Sequence, residues 1–465
     1  MNRFAVIADD LTGANENGLQ FLRKGLSAET LIYQKGVFKK DLRAAEKFKG
    51  ILIVDSGTRQ KGAVEAGRVT EEIAARLFSA GTERIYLKFD STLRGYPGAV
   101  INSVLARRPK DYAAVCMAYP EAGRITKNGE QYVWGKRVTE TAFAKDPLNP
   151  VRSSGIRKVL GEGTKLCSGI ITLSKIRKGI AAVLCEKDKL LKGGARILVF
   201  DCANDRDVRT VARSILDCRI ICGASALSKE LAGKEGRKKA AARRKKTRVV
   251  GIIGSQNPVT TEQLEYLRSH ERIKCVFVDG EDVSADFRRK ETKYSASSMK
   301  KTDISGNFVV VLRSGKRTDG YIKSLTRAKG AAAAAELIGR GLASIAEQFG
   351  AKSQKDAFFF TGGATAEGSS LEYSMRGFIL EGEVAPGIPL LRTRPGKTWV
   401  VTKSGGFGKK DALRKIVKLL EGKNSLKYRA GGKTNDYKKG SRACGETRPA
   451  GILGSREGNA DKTAW

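Results

Sequence analysis

Two carboxylates, Asp9 and Asp10, stand side by side where the apolar run 4–8 stops and Leu11-Thr12-Gly13-Ala14 leads into a helical pattern. Loops leaving the carboxyl ends of strands line the ligand crevice of open α/β sheets, and Thr12 with Gly13 makes a tight, donor-rich turn there. A second strand end repeats the design: the run 84–87 continues into Lys88, Phe89, Asp90, Ser91, Thr92, Leu93, Arg94 and Gly95. Asp55 and Arg59 follow a third run. Together Asp9, Asp10, Asp55, Arg59, Lys88, Asp90, Ser91 and Arg94 offer cations for a carboxylate, and carboxylates that grip hydroxyls and accept a proton. A small polyhydroxylated anion needs that mixture. Ala118-Tyr119-Pro120-Glu121-Ala122-Gly123-Arg124 is a further strand end whose turn carries an arginine, and the two prolines of Asp146-Pro147-Leu148-Asn149-Pro150 fix an extended loop.

The second half carries a different set. Gly254-Ser255, Thr361-Gly362-Gly363-Ala364-Thr365 and Lys403-Ser404-Gly405-Gly406-Phe407-Gly408 each follow an apolar run. Bare backbone at a strand-to-helix turn lets N–H groups approach phosphate oxygens, and the following helix adds its positive end. Three such turns in one domain point to a nucleotide-phosphate cradle. It is not the familiar P-loop, because Leu391 and Lys427 occupy the first-glycine positions ahead of Gly396-Lys397-Thr398 and Gly432-Lys433-Thr434. No dinucleotide fingerprint follows the first strand, which argues against a Rossmann dehydrogenase.

The elements that must hold these groups alternate. Strands are expected near 4–8, 29–33, 51–55, 84–89, 113–118 and 197–201, with amphipathic segments near 14–24, 61–79 and 98–107 between them. Strand signals resume at 249–253, 275–278, 308–312, 357–360, 377–379 and 399–402, around an Ala-rich helix at 327–349. Strand followed by helix, repeated, predicts an α/β protein of two domains with mostly parallel sheets. The divisions expected are 1–231, a basic connector at 232–248, a second domain at 249–424, and a poorly ordered basic tail at 425–465.

Composition narrows the chemistry. A chain of 465 residues with 41% hydrophobic content can fill two cores. No apolar stretch is long enough to span a membrane and the N-terminus runs straight into a strand, so a soluble, cytoplasmic protein without a membrane partner is expected. The eight cysteines form no CxxC pair and read as buried thiols in a reducing compartment, and no metal site is expected from Cys218 and Cys222. The single histidine, His270, reads as a surface helix residue, which removes Ser-His-Asp hydrolases and His-based zinc enzymes. A net charge of +38 invites a nucleic-acid reading, but the 87 basic residues are spread along the chain without a recognition motif. That pattern predicts a lysine-rich surface that steers anionic substrates, not a specific nucleic-acid partner.

The motifs IADDLTGAN, KFDSTLRGYPGA, AYPEAGR, DPLNP, GSQNPVT with Gln263, TGGATA, GEVAPGIP and KSGGFG occur in an order that resembles the four-carbon acid sugar kinase family over about residues 2–421. Within it the chain is most similar to the threonate kinase type, because DSTLRG follows its strand without the inserted residues of the 3-oxo-tetronate branch. The resemblance implies an acid-sugar-binding first domain, a nucleotide-binding second domain and an active-site cleft between them, with room for a homodimer. Carried over by motif, Asp9, Asp10, Arg59, Lys88, Asp90, Ser91 and Arg94 would contact substrate. Ser255, Gly362, Gly363, Ala364, Thr365, Lys403, Gly405 and Gly406 would face ATP.

The activity implied is transfer of a phosphoryl group from ATP to the terminal hydroxyl of threonate or erythronate, with Asp10 or Asp90 as base. Arg59, Lys88 and Arg94 would hold the substrate carboxylate or the transferring group, and Mg2+ would bridge the phosphates with few protein ligands. Two departures bear on turnover: Ala364 stands where the family reads TGGDTA, and DSGTR stands where a pattern closer to DTDSR is usual. They leave open a weakened homologue that binds nucleotide or acid sugar as a regulator, beside a third reading as a polyanion-associated basic protein.

Overall fold

The computed structural model describes residues 4–45, 48–146, 149–233, 247–283, 304–394 and 396–423. Most of the basic connector, the tail from 425, Cys444, and Pro147 and Leu148 of the proline loop lie outside the described residues.

In the first half, five strands follow the expected runs: β1 (Phe4–Ala8), β2 (Ala28–Ile32), β3 (Ile51–Asp55), β4 (Arg84–Lys88) and β5 (Ala113–Cys116). A separate antiparallel sheet follows, made of β6 (Arg124–Lys127), β7 (Glu130–Val133) and β8 (Lys136–Arg137). Then come β9 (Ser168–Ile171), β10 (Ile197–Phe200) and β11 (Ile220–Gly223). In the second half lie β12 (Val249–Ile253), β13 (Lys274–Val278), β14 (Phe308–Leu312), β15 (Ala357–Thr361), β16 (Gly377–Ala385), β17 (Ile388–Thr393) and β18 (Trp399–Lys403).

Fifteen of these form one sheet in the order β13-β14-β12-β15-β18-β17-β16-β2-β3-β1-β4-β11-β5-β10-β9. Neighbours are parallel from β13 to β18 and again from β2 to β9 along this order, as expected for an α/β fold. Three antiparallel joins separate the halves: β2 with β16, β16 with β17, and β17 with β18. At the first of them Leu31 pairs with Gly377 and Glu29 with Ile379. The fully buried Glu29 carboxylate is met there by Arg394 Nη1 at 2.6 and 2.7 Å. Burial raises the Glu29 pKa, opposed by that guanidinium.

Burial on both faces explains the apolar runs. Val6 and Ala8 of β1 join a core that continues through Phe21 and Leu380 to Phe358, while Ala5 and Ile7 face the helices Ala63–Ser79 and Pro97–Ala106. The Ala-rich helix expected at 327–349 is two helices, Lys316–Lys329 and Ala331–Gln348. Gly330 separates them at φ +81°, a left-handed conformation that L residues resist. Cys116, Cys202, Cys218 and Cys222 are buried, but Cys167 and Cys185 are exposed, because the face of the outermost strand and helix of that edge meets solvent. His270 ends the helix Pro258–His270, exposed and stacked on Tyr266 at 3.9 Å. No described helix is long and apolar enough to cross a membrane.

Candidate active site

Asp10 begins the site because it begins a helix. Its backbone is extended, and its side chain caps the helix Leu11–Arg23 by accepting Gly13 N–H at 2.8 Å and the Thr12 hydroxyl at 2.6 Å. N-terminal N–H groups have no intrahelical partner, and an aspartate in this position supplies one. Arg59 comes from the loop after β3, positioned by its own N–H on the Asp9 carbonyl at 3.0 Å. Its guanidinium spans both carboxylates: Nε and Nη2 donate to Asp9 at 3.1 and 2.7 Å, and Nη1 lies 2.7 Å from Asp10. All three side chains are buried. Burial pushes the Asp9 pKa up, Arg59 pulls against it, and the net direction is upward. Burial alone would lower Arg59, but Asp10 and Asp9 hold its pKa well above normal.

The second loop is built the same way. Leu93 sits at φ +65°, a position that L side chains seldom take, and it closes a turn in which its N–H donates to the Asp90 carbonyl at 3.0 Å. Asp90 is thereby placed to accept Arg94 Nε at 2.7 Å and the Thr92 hydroxyl. Burial would raise the Asp90 pKa, yet Arg94 and Arg59 bring it well below the usual carboxylate range. Arg94 also donates to Asp146 at 3.0 Å, so its guanidinium is engaged on two sides. The Asn149 side chain donates to the Arg59 carbonyl, and its N–H to Asp146 at 2.9 Å, so the proline loop braces both arginines. Ser91 gives its carbonyl to Gln131 at 2.8 Å. Lys88 is buried, donates to the Phe89 carbonyl at 2.9 Å, and would lie 3.3 Å from a Cβ at Gly13. Glu16, one turn into the first helix, feels burial first, which raises its pKa, and Lys88 next, which lowers it.

The glycine turns of the second half converge on one another. A Cβ at Gly405 would stand 2.2 Å from Ser255 Oγ, so only glycine lets these two loops touch. The Thr260 hydroxyl donates to the Gly405 carbonyl at 2.9 Å, and Gln263 Nε2 donates to the carbonyls of Phe407, Gly408 and Lys409 at 3.0 to 3.1 Å. Lys403 is turned into its own loop. Its Nζ donates to the carbonyls of Ser404, Gly405 and Phe407 at 3.0 to 3.1 Å, and burial pulls its pKa down to about 7. Three carbonyl acceptors resist that fall, since a neutral amine has only two N–H groups. Lys403 therefore shapes the loop from within. Gly406 lies near Asn257, and Ala364 occupies the first turn of the helix Gly363–Glu372, half-buried and without a polar group.

The two sets meet. A Cβ at Gly363 would stand 2.9 Å from Asp10 Oδ2 and 3.3 Å from Thr12 Oγ1, so the N-terminal end of the helix Gly363–Glu372 abuts the carboxylate loop. Asn15 Nδ2 donates to the Thr402 hydroxyl at 3.2 Å across the same junction. Nearby, burial and then Glu367 raise the Asp55 pKa well above normal. Burial and then Asp10 raise Glu367 to about 7. Motif reading did not single out Glu367 or Glu16, and named Asp146 only as part of the proline loop. Glu367 carries the one signal that could have found it, a position one helical turn after Ala364.

Residues 4–231 match the model of a sugar-binding N-terminal domain, and residues 250–413 that of a nucleotide-binding C-terminal domain. The chain is 29% identical over 429 residues to a D-threonate kinase of Bordetella bronchiseptica, covering 89% of this chain and 96% of that one. It is 25% identical over 434 residues to a D-threonate kinase of Salmonella typhimurium, covering 90% and 98%. It is 26% identical over 443 residues to a D-erythronate kinase of Heliobacterium modesticaldum, covering 90% and 97%. A crystal structure of a Salmonella typhimurium LT2 protein superposes with a TM-score of 0.67 at 20% identity, covering 90% of this chain and 99% of that one. A Haemophilus influenzae protein superposes at 0.63 and 22%, covering 88% and 98%, and both share this fold.

Proposed function

The chain belongs to the four-carbon acid sugar kinase family and is such a kinase, and we propose that it transfers the γ-phosphoryl group of ATP to the 4-hydroxyl of threonate or erythronate. The observation that carries this reading is the closeness of Asp10 to Gly363, whose Cβ, were there one, would stand 2.9 Å from Asp10 Oδ2. It puts a carboxylate able to receive a hydroxyl proton at the helix end best suited to phosphate oxygens.

In the proposed reaction the 4-oxygen bonds to the γ-phosphorus as the bond to the β,γ-bridging oxygen breaks, and the hydroxyl proton passes to Asp10. Asp90 is a poor base, because Arg94, Arg59 and Thr92 stabilise its ionised form. Lys88 and Arg59 would hold the substrate carboxylate, with Arg94 acting through Asp90. Ser255, Gly362, Thr365 and Gly405 would cradle the nucleotide phosphates, with Lys403 and Gln263 fixing the loop from behind. Phosphoryl transfer asks for this: an in-line hydroxyl, neutralised charge and excluded water. Mg2+ on the phosphates would supply charge neutralisation. A buried carboxylate oxygen without a partner, Asp55 Oδ2, is the kind of donor it takes.

The test is ADP release coupled to NADH oxidation, run with both enantiomers of threonate and of erythronate, and 31P NMR of the product. A 4-phosphate from at least one acid is expected. Absence of stimulated ADP release with all four would refute the reading.

A further inference from the structure

We propose that Asp55 and Glu367 form the protein's divalent-cation site, one carboxylate from each half of the chain. This rests on the kinase reading for what the cation accompanies, but on this chain's own side chains for where it sits.

Asp55 is the last residue of β3 and has no solvent exposure. Its Oδ1 accepts the Gly57 N–H at 3.1 Å, while Oδ2 has no partner. Glu367 reaches the same place from the helix Gly363–Glu372. A Cβ at Gly57, whose φ is +58°, would stand 2.5 Å from Glu367 Oε1. No hydrogen bond or ion pair engages the Glu367 carboxylate among the described residues. Asp9 and Asp10 are matched by Arg59 and Asp90 by Arg94, while Glu16, whose Oε1 also lacks a hydrogen-bond partner, has the Lys88 charge acting on it.

A buried carboxylate oxygen left without a donor is costly, and Asp55 Oδ2 is one, with the half-buried Glu367 carboxylate adding a second negative charge beside it. A divalent cation offsets both. Mg2+ commonly takes one or two carboxylates and fills its remaining positions with waters and phosphate oxygens. A two-carboxylate site agrees with the absence, among the described residues, of any cluster of three or more metal-ligating side chains. The phosphate side is in place, because the N-terminus of Glu367's own helix lies against Asp10. Ala364 precedes Glu367 by three residues, so the two share a helix face. The carboxylate this helix offers to the junction therefore comes from its second turn, not its first.

The experiment is Mn2+ titration of the full-length protein without nucleotide, read by loss of the free-ion electron paramagnetic resonance signal. Wild type is expected to bind one Mn2+ saturably, Glu367→Gln and Asp55→Asn to lose it, and Ala364→Asp with Glu367→Gln to regain it. Melting in EDTA controls for folding. Either single variant should melt no lower than wild type, because it relieves repulsion between like charges. Retention of wild-type Mn2+ affinity by either single variant, or no saturable binding by wild type, overturns the proposal. ADP release by wild type is read separately, so failure of the cation site and failure of the kinase reading are distinguishable.

Discussion

Arg59→Ala tests whether the carboxylate loop is held by one guanidinium. Arg59 is 9% exposed and makes three charge-assisted contacts, at 3.1 and 2.7 Å to Asp9 and 2.7 Å to Asp10. Removing one member of a buried ion cluster leaves the others charged and unpaired, at a cost of roughly 3–5 kcal/mol. That is a large share of the roughly 5–15 kcal/mol by which folded proteins are stable. Asp9→Asn in the same background removes one stranded charge and should return at least about 1 kcal/mol, a coupling typical of contacting residues.

The pH dependence of Arg59→Ala has a definite sign. Asp9 already binds its proton more tightly than an unfolded aspartate, and losing Arg59 strengthens that. The native state then takes up protons before the unfolded state as pH falls, so acid stabilises it relative to neutral conditions. The destabilisation by Arg59→Ala should therefore shrink between about pH 8 and about pH 5. Urea unfolding of wild type, both single variants and the double variant at the two pH values measures all of this. A cost below about 1 kcal/mol, the worth of an exposed pair, with no pH dependence, would show that the cluster is solvated and the reasoning wrong.

Gly363→Ala should leave stability within about 1 kcal/mol, since alanine is the better helix former. Its methyl would sit 2.9 Å from Asp10 Oδ2, and kcat/KM should fall at least about tenfold, or 1.4 kcal/mol of barrier; melting curves beside steady-state kinetics separate the two effects. Lys403→Met strands three carbonyls, each worth about 1–3 kcal/mol when unsatisfied, and should raise the KM for nucleotide while leaving that for the acid sugar unchanged. Because burial lowers the Lys403 pKa from 10.5 to about 7, the folded protein releases that proton first. Its contribution to stability should be absent below pH 7 and grow as pH rises toward 10.5, a slope that denaturation titrations should find missing in Lys403→Met.

Runs buried on both faces were readable in the sequence, as β1, β3, β12 and β14 show, because continuous apolar character needs no partner to be recognised. β9 (SGII) and β11 (IICG) are not among the expected strands: each holds a glycine that shortens its apolar run, unlike the equally short β5 and β10. β16 extends to Ala385, past the 377–379 expected, because Glu381 and Glu383 interrupt its apolar pattern and find cations, Arg392 and Arg23, on other segments. The site divides the same way. Carboxylates and glycines at strand ends announce themselves locally. The inward turn of Lys403, the engagement of Arg94 by Asp146 and the arrival of Glu367 at Gly57 depend on segments far away in sequence.

Three polarity reversals lie between β1 and β15, an odd number, so in a flat sheet their carboxyl ends would point to opposite edges and Asp10 could never reach Gly363. Six strand-to-strand steps separate the two, and at the usual sheet twist of about 20–25° per step the second set would be turned through about 120–150°. The β16–β17 hairpin thus works as an angular spacer. Excising it would keep the polarity mismatch but leave four steps and about 80–100° of rotation, and the helix Gly363–Glu372 would swing away from Asp10.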